Sequence, residues 1–281
     1  MDDIVSEIGN SVVQHGKYND RIYLMKLSKN DCPDIIKELD KLAWTEGYSK
    51  IFAKVPAYAK HEFAENGYIL EAKIPKFYHG YEDVYFMGKY FTIARGLDDR
   101  IEVINEILDT ARKKPFADVI FSLPEEFDFK ICNKSNINQM ARLYKKVFET
   151  YPFPIPDPGY ILKSMDMDFI YFSILKKNKI VALSSSDMDV GARNVEMTDF
   201  ATLPEFQGNG FAIYLLHNME QEMRHRGIKL AYTICRAFSY GINIIFAKVG
   251  YKYAGTLLNN TNISGKLESM NVCYKIFTIS I

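Results

Sequence analysis

The sequence has no surplus of charge. Over 281 residues, 35 Lys and Arg balance 35 Asp and Glu, for a formal net charge of zero. A sequence-independent nucleic-acid binder needs excess cations to displace counterions, so nucleic acid is not an expected partner. No apolar run approaches the ~18 residues that indicate a membrane span, so no membrane partner is expected. The first residues, Met1-Asp2-Asp3-Ile4, are acidic, and no secretory leader is expected from them. A cytoplasmic location is the resulting expectation. Cysteine is scarce: Cys32, Cys132, Cys235 and Cys273 are scattered without a CxxC pair. Metal-finger and thioredoxin readings therefore lose support, and free buried thiols are expected. The histidines, His15, His61, His79, His217 and His225, show no HExxH or other ligand spacing, so no metal is expected. Ser184-Ser185-Ser186 lacks the flanking glycines of a nucleophile elbow.

What is present is an ordinary globular balance, with 48% hydrophobic and 25% charged residues. Disordered and collagen-like chains are excluded. At roughly 150 residues per domain the length favours two domains. The first third alternates strand and helix signals. Strands are expected at 21–27, 49–55, 68–74 and 84–92. Asp31 before Pro33 resembles a helix start, and Ile35, Ile36, Leu39, Leu42 and Ala43 then recur at helical spacing. A second helix is expected over 57–65, closed by Asn66-Gly67. A third, over 98–114, carries Ile101, Ile104, Ile107 and Leu108 on one face.

The second half is expected to open with a helix capped by Ser135, bearing Ile137, Met140, Tyr144, Val147 and Phe148. The proline-rich connector 151–158 follows. Strands are expected at 169–175, 180–186 and 195–202, with a polar hairpin at 176–179. Ala212, Leu215, Leu216, Met219 and Met223 form a helical stripe that ends at Arg226-Gly227. A strand (229–235), a helix (239–248) and two strands (251–258, 270–279) complete the chain. Phe63-Ala64-Glu65-Asn66-Gly67-Tyr68 is echoed by Phe246-Ala247-Lys248-Val249-Gly250-Tyr251, within the same local order of elements. That echo points to an internal duplication.

The stretch Gln207-Gly208-Asn209-Gly210-Phe211-Ala212 leaves a strand and enters an amphipathic helix. Small residues there let a ligand approach the backbone. The free N–H groups and positive dipole end of a helix start can hold a pyrophosphate. A tight strand-to-helix turn is the plainer alternative.

The pattern Gln207-x-x-Gly210-x-Ala212 resembles the acetyl-coenzyme A signature of the GNAT acetyltransferases, and the element order from Ser135 to Ile279 is similar to that family. Tyr151-Pro152-Phe153-Pro154-Ile155, the strand Glu196 to Pro204, Arg236 to Asn243 and Asn259 to Gly265 resemble the β-lysine N-acetyltransferases within it, over nearly the whole chain. The resemblance implies an α/β (α+β) fold with a mixed, splayed central sheet. It implies acetyl-CoA as co-substrate and a small-molecule amine, β-lysine, as acceptor. The product would be the compatible solute Nε-acetyl-β-lysine. It implies coenzyme contacts at Phe200, Ala201 and Thr202 on the strand before the turn, at Gln207 to Ala212, and at Asn243. Residues 1–126 would form a smaller partial copy of the fold without a coenzyme site, and 127–281 the catalytic domain. The partial copy would brace the catalytic domain, cover the acceptor site or form a homodimer.

A lysine-type amine has a pKa near 10.4, so at pH 7 only about one molecule in ~2500 is neutral. A carboxylate can take the proton. Glu196 matches the general base of some members of the fold family, with Asp199 the alternative base or amine anchor. Alternation places Glu196, Thr198, Phe200 and Thr202 on one face of the strand. Phe246 occupies the position where many GNAT enzymes carry a proton-donating Tyr, so either Tyr240 serves or the thiolate leaves unaided. Arg236 is a candidate for the substrate carboxylate and Asp187 for its second amine. Tyr151 and Phe153 are expected to wall the acceptor site, and Asn260 to lie in a loop over it. Acetylation of lysine or a polyamine, and a non-catalytic acetyl-CoA-binding module, remain as alternatives.

Overall fold

A computed structural model describes residues 3–116 and 122–277, in which the strands join into one thirteen-stranded sheet. The first half comprises β1 (Ile4–Ile8), β2 (Ser11–Gly16), β3 (Arg21–Lys26), α1 (Ile35–Glu46), β4 (Lys50–Pro56), α2 (Lys60–Glu65), β5 (Ile69–Tyr78) and β6 (Glu82–Tyr90). Helix α3 (Ile101–Arg112) follows. The second half comprises β7 (Phe127–Ile131), α4 (Ile137–Val147), α5 (Pro158–Met165), β8 (Phe169–Lys176), β9 (Lys179–Asp189), β10 (Asn194–Thr202), α6 (Phe211–His225), β11 (Leu230–Arg236), α7 (Tyr240–Lys248), β12 (Lys252–Ile263) and β13 (Lys266–Ile276).

The spatial order is β1-β2-β3-β4-β6-β5-β12-β13-β11-β10-β9-β8-β7. Each half therefore runs the same course to its junction strand: β1-β2-β3-β4-β6-β5 on one side, β8-β9-β10-β11-β13-β12 on the other. The parallel pairs also correspond, β3 with β4 and β10 with β11. The halves meet where Gly255 of β12 lies antiparallel to Ala72 of β5. A Cβ on Gly255 would sit 2.0 Å from the Glu71 carbonyl oxygen, so only glycine permits this approach.

Apolar stripes decide where each helix docks. Ile35, Ile36, Leu39 and Ala43 of α1 pack with Ile22, Leu24 and Ile51. Leu215, Leu216, Met219 and Met223 of α6 pack with Val195, Met197 and Ala231. Met140, Ala141 and Tyr144 of α4 cover Tyr171, Leu183 and Ala201. A fourth core belongs to both halves: Tyr23, Phe52 and Phe86 meet Leu230, Tyr232 and Val272. Phe77 and Tyr232 lie with ring centroids 5.0 Å apart. Polar ties cross the same seam. Gln14 Nε2 donates to the Pro152 carbonyl at 3.0 Å, and Asn262 Nδ2 to the Tyr18 carbonyl at 2.8 Å.

Several local expectations are corrected. Helix α1 begins at Ile35, after Asp34, and Asp31 does not cap it. The Asp31 carboxylate instead accepts from the Asn10 amide at 2.8 Å and Ser11 Oγ at 2.6 Å. Asn133, not Ser135, caps the turn before α4, because its side chain accepts from the Ser135 amide. Residues 259–262 belong to β12 rather than to a loop. The final strand stops at Ile276, and residues 278–281 lie outside the described residues. All four cysteines are free.

Candidate active site

Strand β10 keeps its parallel partner only briefly. Asn194, Val195 and Glu196 pair with Leu230, Ala231 and Tyr232 of β11, and no rung follows. On the other edge, the pairing of β10 with β9 slips between Thr198 and Ala201. Asp199 sits in that slip at φ 56°, a left-handed conformation that Asp tolerates better than most residues. Such a bulge bends the strand. Past Glu196 the β11-facing edge of β10 is left without a ladder partner, and a wedge opens between the two strands. The extra residue also shifts the alternation. Met197 and Phe200 both pack on the α6 side, while Ala201 packs on the α4 side. The expectation that Phe200 shares a face with Glu196 is therefore corrected.

The wedge leads to the glycine-rich turn. After a short turn at Pro204–Phe206, Gly208 and Gly210 adopt φ 82° and 74°, which their lack of a Cβ allows. Asn209 Nδ2 donates to the Phe206 carbonyl at 2.9 Å. Gly210 offers α6 no side-chain cap, and the first amide bonded back to it is Tyr214, at 3.1 Å. The amides of Phe211, Ala212 and Ile213 therefore stand at the positive end of a fifteen-residue helix without an intrahelical acceptor. Residues 207–209 are exposed, and a Cβ on Gly208 would meet nothing within 4 Å. These free donors and this open space fit the pyrophosphate of coenzyme A.

On the sheet face opposite α6, Glu196 stands directly across from Asp187 in β9 and beside Tyr232 in β11. Two carboxylates opposite one another on adjacent strands repel. Burial pushes Glu196 up to about 7, while Lys54 and hydrogen bonds from Tyr232 and the Ile234 backbone restrain the rise. Burial, then repulsion from Glu196, pushes Asp187 up to about 7 against the pull of Lys54. Burial alone would lower Lys54, but Tyr23, Glu196, Tyr78 and Asp187 outweigh it and hold the ammonium above the ordinary lysine range. Two acids and one cation thus form a net-negative group whose proton affinity lies near neutrality. Asp199 is engaged differently. Burial raises it, yet it accepts from Tyr151 Oη and Ser185 Oγ, each at 2.5 Å, and from Thr198 Oγ1 at 3.3 Å. It ties the proline-rich connector to the bulge.

Residues 137–251 match the acetyltransferase (GNAT) family. A β-lysine N6-acetyltransferase of Methanococcus maripaludis is 44% identical over 275 residues, covering 97% of this chain and 98% of the relative. A second protein of that name, from Methanosarcina mazei, is 32% identical over 85% of this chain and 95% of its own. The N-acetyltransferase YodP of Bacillus subtilis is 31% identical over 94% and 95%. The chain belongs to the GNAT acetyltransferase family. The order β7-β8-β9-β10-β11-β13-β12, with its splay after Glu196, is the mixed, splayed sheet expected of this family.

In this acetyltransferase Glu196, Asp187, Asp199 and Tyr151 come together, and the polar groups of three other expected site residues, Arg236, Tyr240 and Asn243, are engaged elsewhere. Arg236 is occupied: its Nε and Nη2 each meet the Glu268 carboxylate at 2.9 Å. A guanidinium already paired in this way is not free to take a substrate carboxylate. Tyr240 is exposed, and its hydroxyl donates to Glu106 of α3 at 3.0 Å. Asn243 is buried, and its amide is used to dock α7. It donates to the carbonyls of Arg236 and Ser239 and accepts from Asn271 Nδ2. Phe153 packs on the α4 core and stacks on Tyr160 with centroids 6.5 Å apart. Asn260 is 1% exposed, inside β12, and its carbonyl accepts from Arg21.

Lys54, Tyr23 and Tyr78, all from the first half, were not expected at the acids. Counting rungs from the start of each parallel pair, Tyr23 with Gln14 occupies the place that Glu196 with Asp187 occupies in the second half. A signal existed: Lys50 and Lys54 interrupt the otherwise apolar strand KIFAKV.

Proposed function

We propose that the chain transfers the acetyl group of acetyl-CoA to the N6 amine of β-lysine. The observation that carries this is the Glu196–Asp187 pair with Lys54, beside the mouth of the wedge. An ammonium is attracted to a site of net negative charge, and a carboxylate titrating near 7 can relieve it of its proton. The names of the two archaeal relatives support β-lysine as the acceptor.

Acetyl-CoA supplies the acetyl thioester. The unpaired margin of β10 at Phe200, Ala201 and Thr202 and the turn from Gln207 to Ala212 would hold it. Glu196 takes a proton from the N6 ammonium while Asp187 and Lys54 fix the electrostatics around it. The neutral amine attacks the thioester carbonyl, the C–N bond forms, the C–S bond breaks, and the surplus proton on nitrogen passes to the released thiolate. A simple thiol has a pKa of about 8.5, so the thiolate can leave without an acid. That suits a site in which Phe246 is buried in the core and Tyr240 is bound to Glu106.

β-Lysine carries two ammonium groups and one carboxylate, and acetylation leaves one of each. A product without net charge suits a compatible solute, and a cytoplasmic location suits its accumulation. Residues 1–126 carry no coenzyme in this proposal. The place of the glycine turn is taken there by a short turn at Lys29–Asp31. Their role is to close the acceptor side of the site. Release of free thiol from acetyl-CoA tests the proposal, with β-lysine, α-lysine, spermidine and no acceptor compared. Selective turnover of β-lysine is expected. Selectivity for another amine would discard the substrate.

A further inference from the structure

The first half holds a buried cation whose hydrogen bonds are incomplete and whose nearest acids, Asp3 and Glu71, act on it only through space. Arg21 is 4% exposed, yet no carboxylate pairs with its guanidinium among the described residues. Its Nη1 donates to the Asn260 carbonyl at 2.5 Å and to Thr261 Oγ1 at 3.3 Å, and its Nε has no partner. Burial draws its pKa down to about 10. A buried cation is costly unless it is paired. Two buried acceptors close to it are also unpartnered. One is Asn260 Oδ1, on the residue whose carbonyl Arg21 binds. The other is Gln14 Oε1, on the residue opposite Tyr23 in β2, and both side chains are 1% exposed.

Gln14, opposite Tyr23, and Arg21, two residues before it, share the face of Tyr23, a ring on which Lys54 and Glu196 also act. Arg21 lies two residues before Tyr23, a step of about 7 Å along a strand. The Arg21 guanidinium is 5.4 Å from the centre of the Tyr23 ring, and Lys54 Nζ is 5.6 Å from it. The Tyr23 ring is thus in contact with both Arg21 and Lys54, and Lys54 in turn acts on Glu196. A six-bond chain from a carboxyl carbon to a terminal amine also spans roughly 7 Å. The unpartnered atoms are the Nε–H of one cation and two side-chain carbonyls, which complement one carboxylate and one ammonium.

We propose that Arg21, Gln14 and Asn260 form the subsite that holds the amino-carboxylate end of the acceptor, with the N6 amine reaching Glu196. Arg21 takes the carboxylate, and the side-chain carbonyls of Gln14 and Asn260 accept from the ammonium that is not acetylated. The first half would then select the acceptor, while the second half performs the transfer. This assignment rests on the function proposed above.

The test compares β-lysine with 1,4-diaminopentane, which is β-lysine without its carboxylate. Hydrogen bonds to charged groups contribute enough that the wild type should favour β-lysine by about 10- to 100-fold in kcat/KM. Arg21→Gln removes the ties to Asn260 and Thr261 for either acceptor, so the readout is the ratio: KM for β-lysine should rise about 10-fold or more beyond any change in KM for 1,4-diaminopentane, erasing the preference. Arg21→Lys should restore part of it. Equal loss on both acceptors would make Arg21 a structural tie and overturn the assignment. Equal use of the two acceptors by the wild type would overturn it without any variant. No turnover of β-lysine by the wild type would defeat the proposed function, and this subsite with it.

Discussion

Replacing Glu196 by Gln keeps the size of the side chain and one acceptor for Tyr232, but removes the proton acceptor. The lysine-type amine is neutral in about one molecule in ~2500 at pH 7, a shortfall of roughly 4–5 kcal/mol. A positioned base typically recovers 10²–10⁴-fold of such a barrier. Glu196→Gln should therefore lower kcat/KM for the acceptor by about 10²–10³-fold at pH 7. The pH profile should change shape as well. The wild-type rate rises as Glu196 ionises, with its inflection at about 7. The variant should climb about tenfold per pH unit towards the amine's own pKa near 10.4, so the gap narrows in alkali. Thiol release at saturating acetyl-CoA from about pH 6 to pH 9.5 reads both effects. Stability offers a second reading with a determined sign. Glu196 is raised in the folded state from 4.5 to about 7, so the protein holds that proton more tightly than the unfolded chain. Stability from this group is intact below the unfolded value and lost as pH rises through about 7. Glu196→Gln should thus melt higher than wild type at pH 8, by up to about 3 kcal/mol in stability, with the difference fading towards pH 5. A loss of activity below about fivefold would refute Glu196 as the base. So would an unchanged inflection, which would put the titrating base on Asp187.

Lys54→Met removes the cation that acts on both acids, so the inflection in kcat/KM should move to higher pH, and a profile that stays put would show that Lys54 does not tune them. Gly208→Ala forces an alanine to φ 82°, at a cost of about 1–2 kcal/mol, but its Cβ meets no protein atom. Calorimetric titration should show weaker coenzyme A binding, with only a small fall in melting temperature. Gly255→Ala drives a Cβ into the Glu71 carbonyl, so the seam between the halves should open. Melting temperature and acceptor KM should both worsen, while coenzyme A affinity, set in the second half, stays near wild type.

Much of the site was legible along the chain because its parts are local. The strand, the two left-handed glycines and the apolar stripe of α6 lie within thirty residues, and each announces itself by period or by backbone freedom. Glu196 could be singled out for the same reason, as a carboxylate on the strand that leads into the turn. The hexapeptide echo, Phe63 to Tyr68 and Phe246 to Tyr251, marks α2 leading into β5 and α7 leading into β12, and those two strands form the seam.

What the sequence by itself determined is the order of elements, the glycine-rich turn and the acid on the strand before it. These depend on residues close together in the chain. What only the tertiary structure decided is which distant side chains share one surface. The bulge at Asp199 moved Phe200 to the opposite face and bent β10 from β11. Glu268, Glu106 and Asn271 occupied Arg236, Tyr240 and Asn243. The core that Tyr23, Phe52 and Phe86 share with Leu230, Tyr232 and Val272 set the two halves together, bringing Lys54 to Glu196 from 142 positions away. Pairing between strands is set by long-range packing and register, and a charge inside an apolar strand does not reveal its partner until that packing is made.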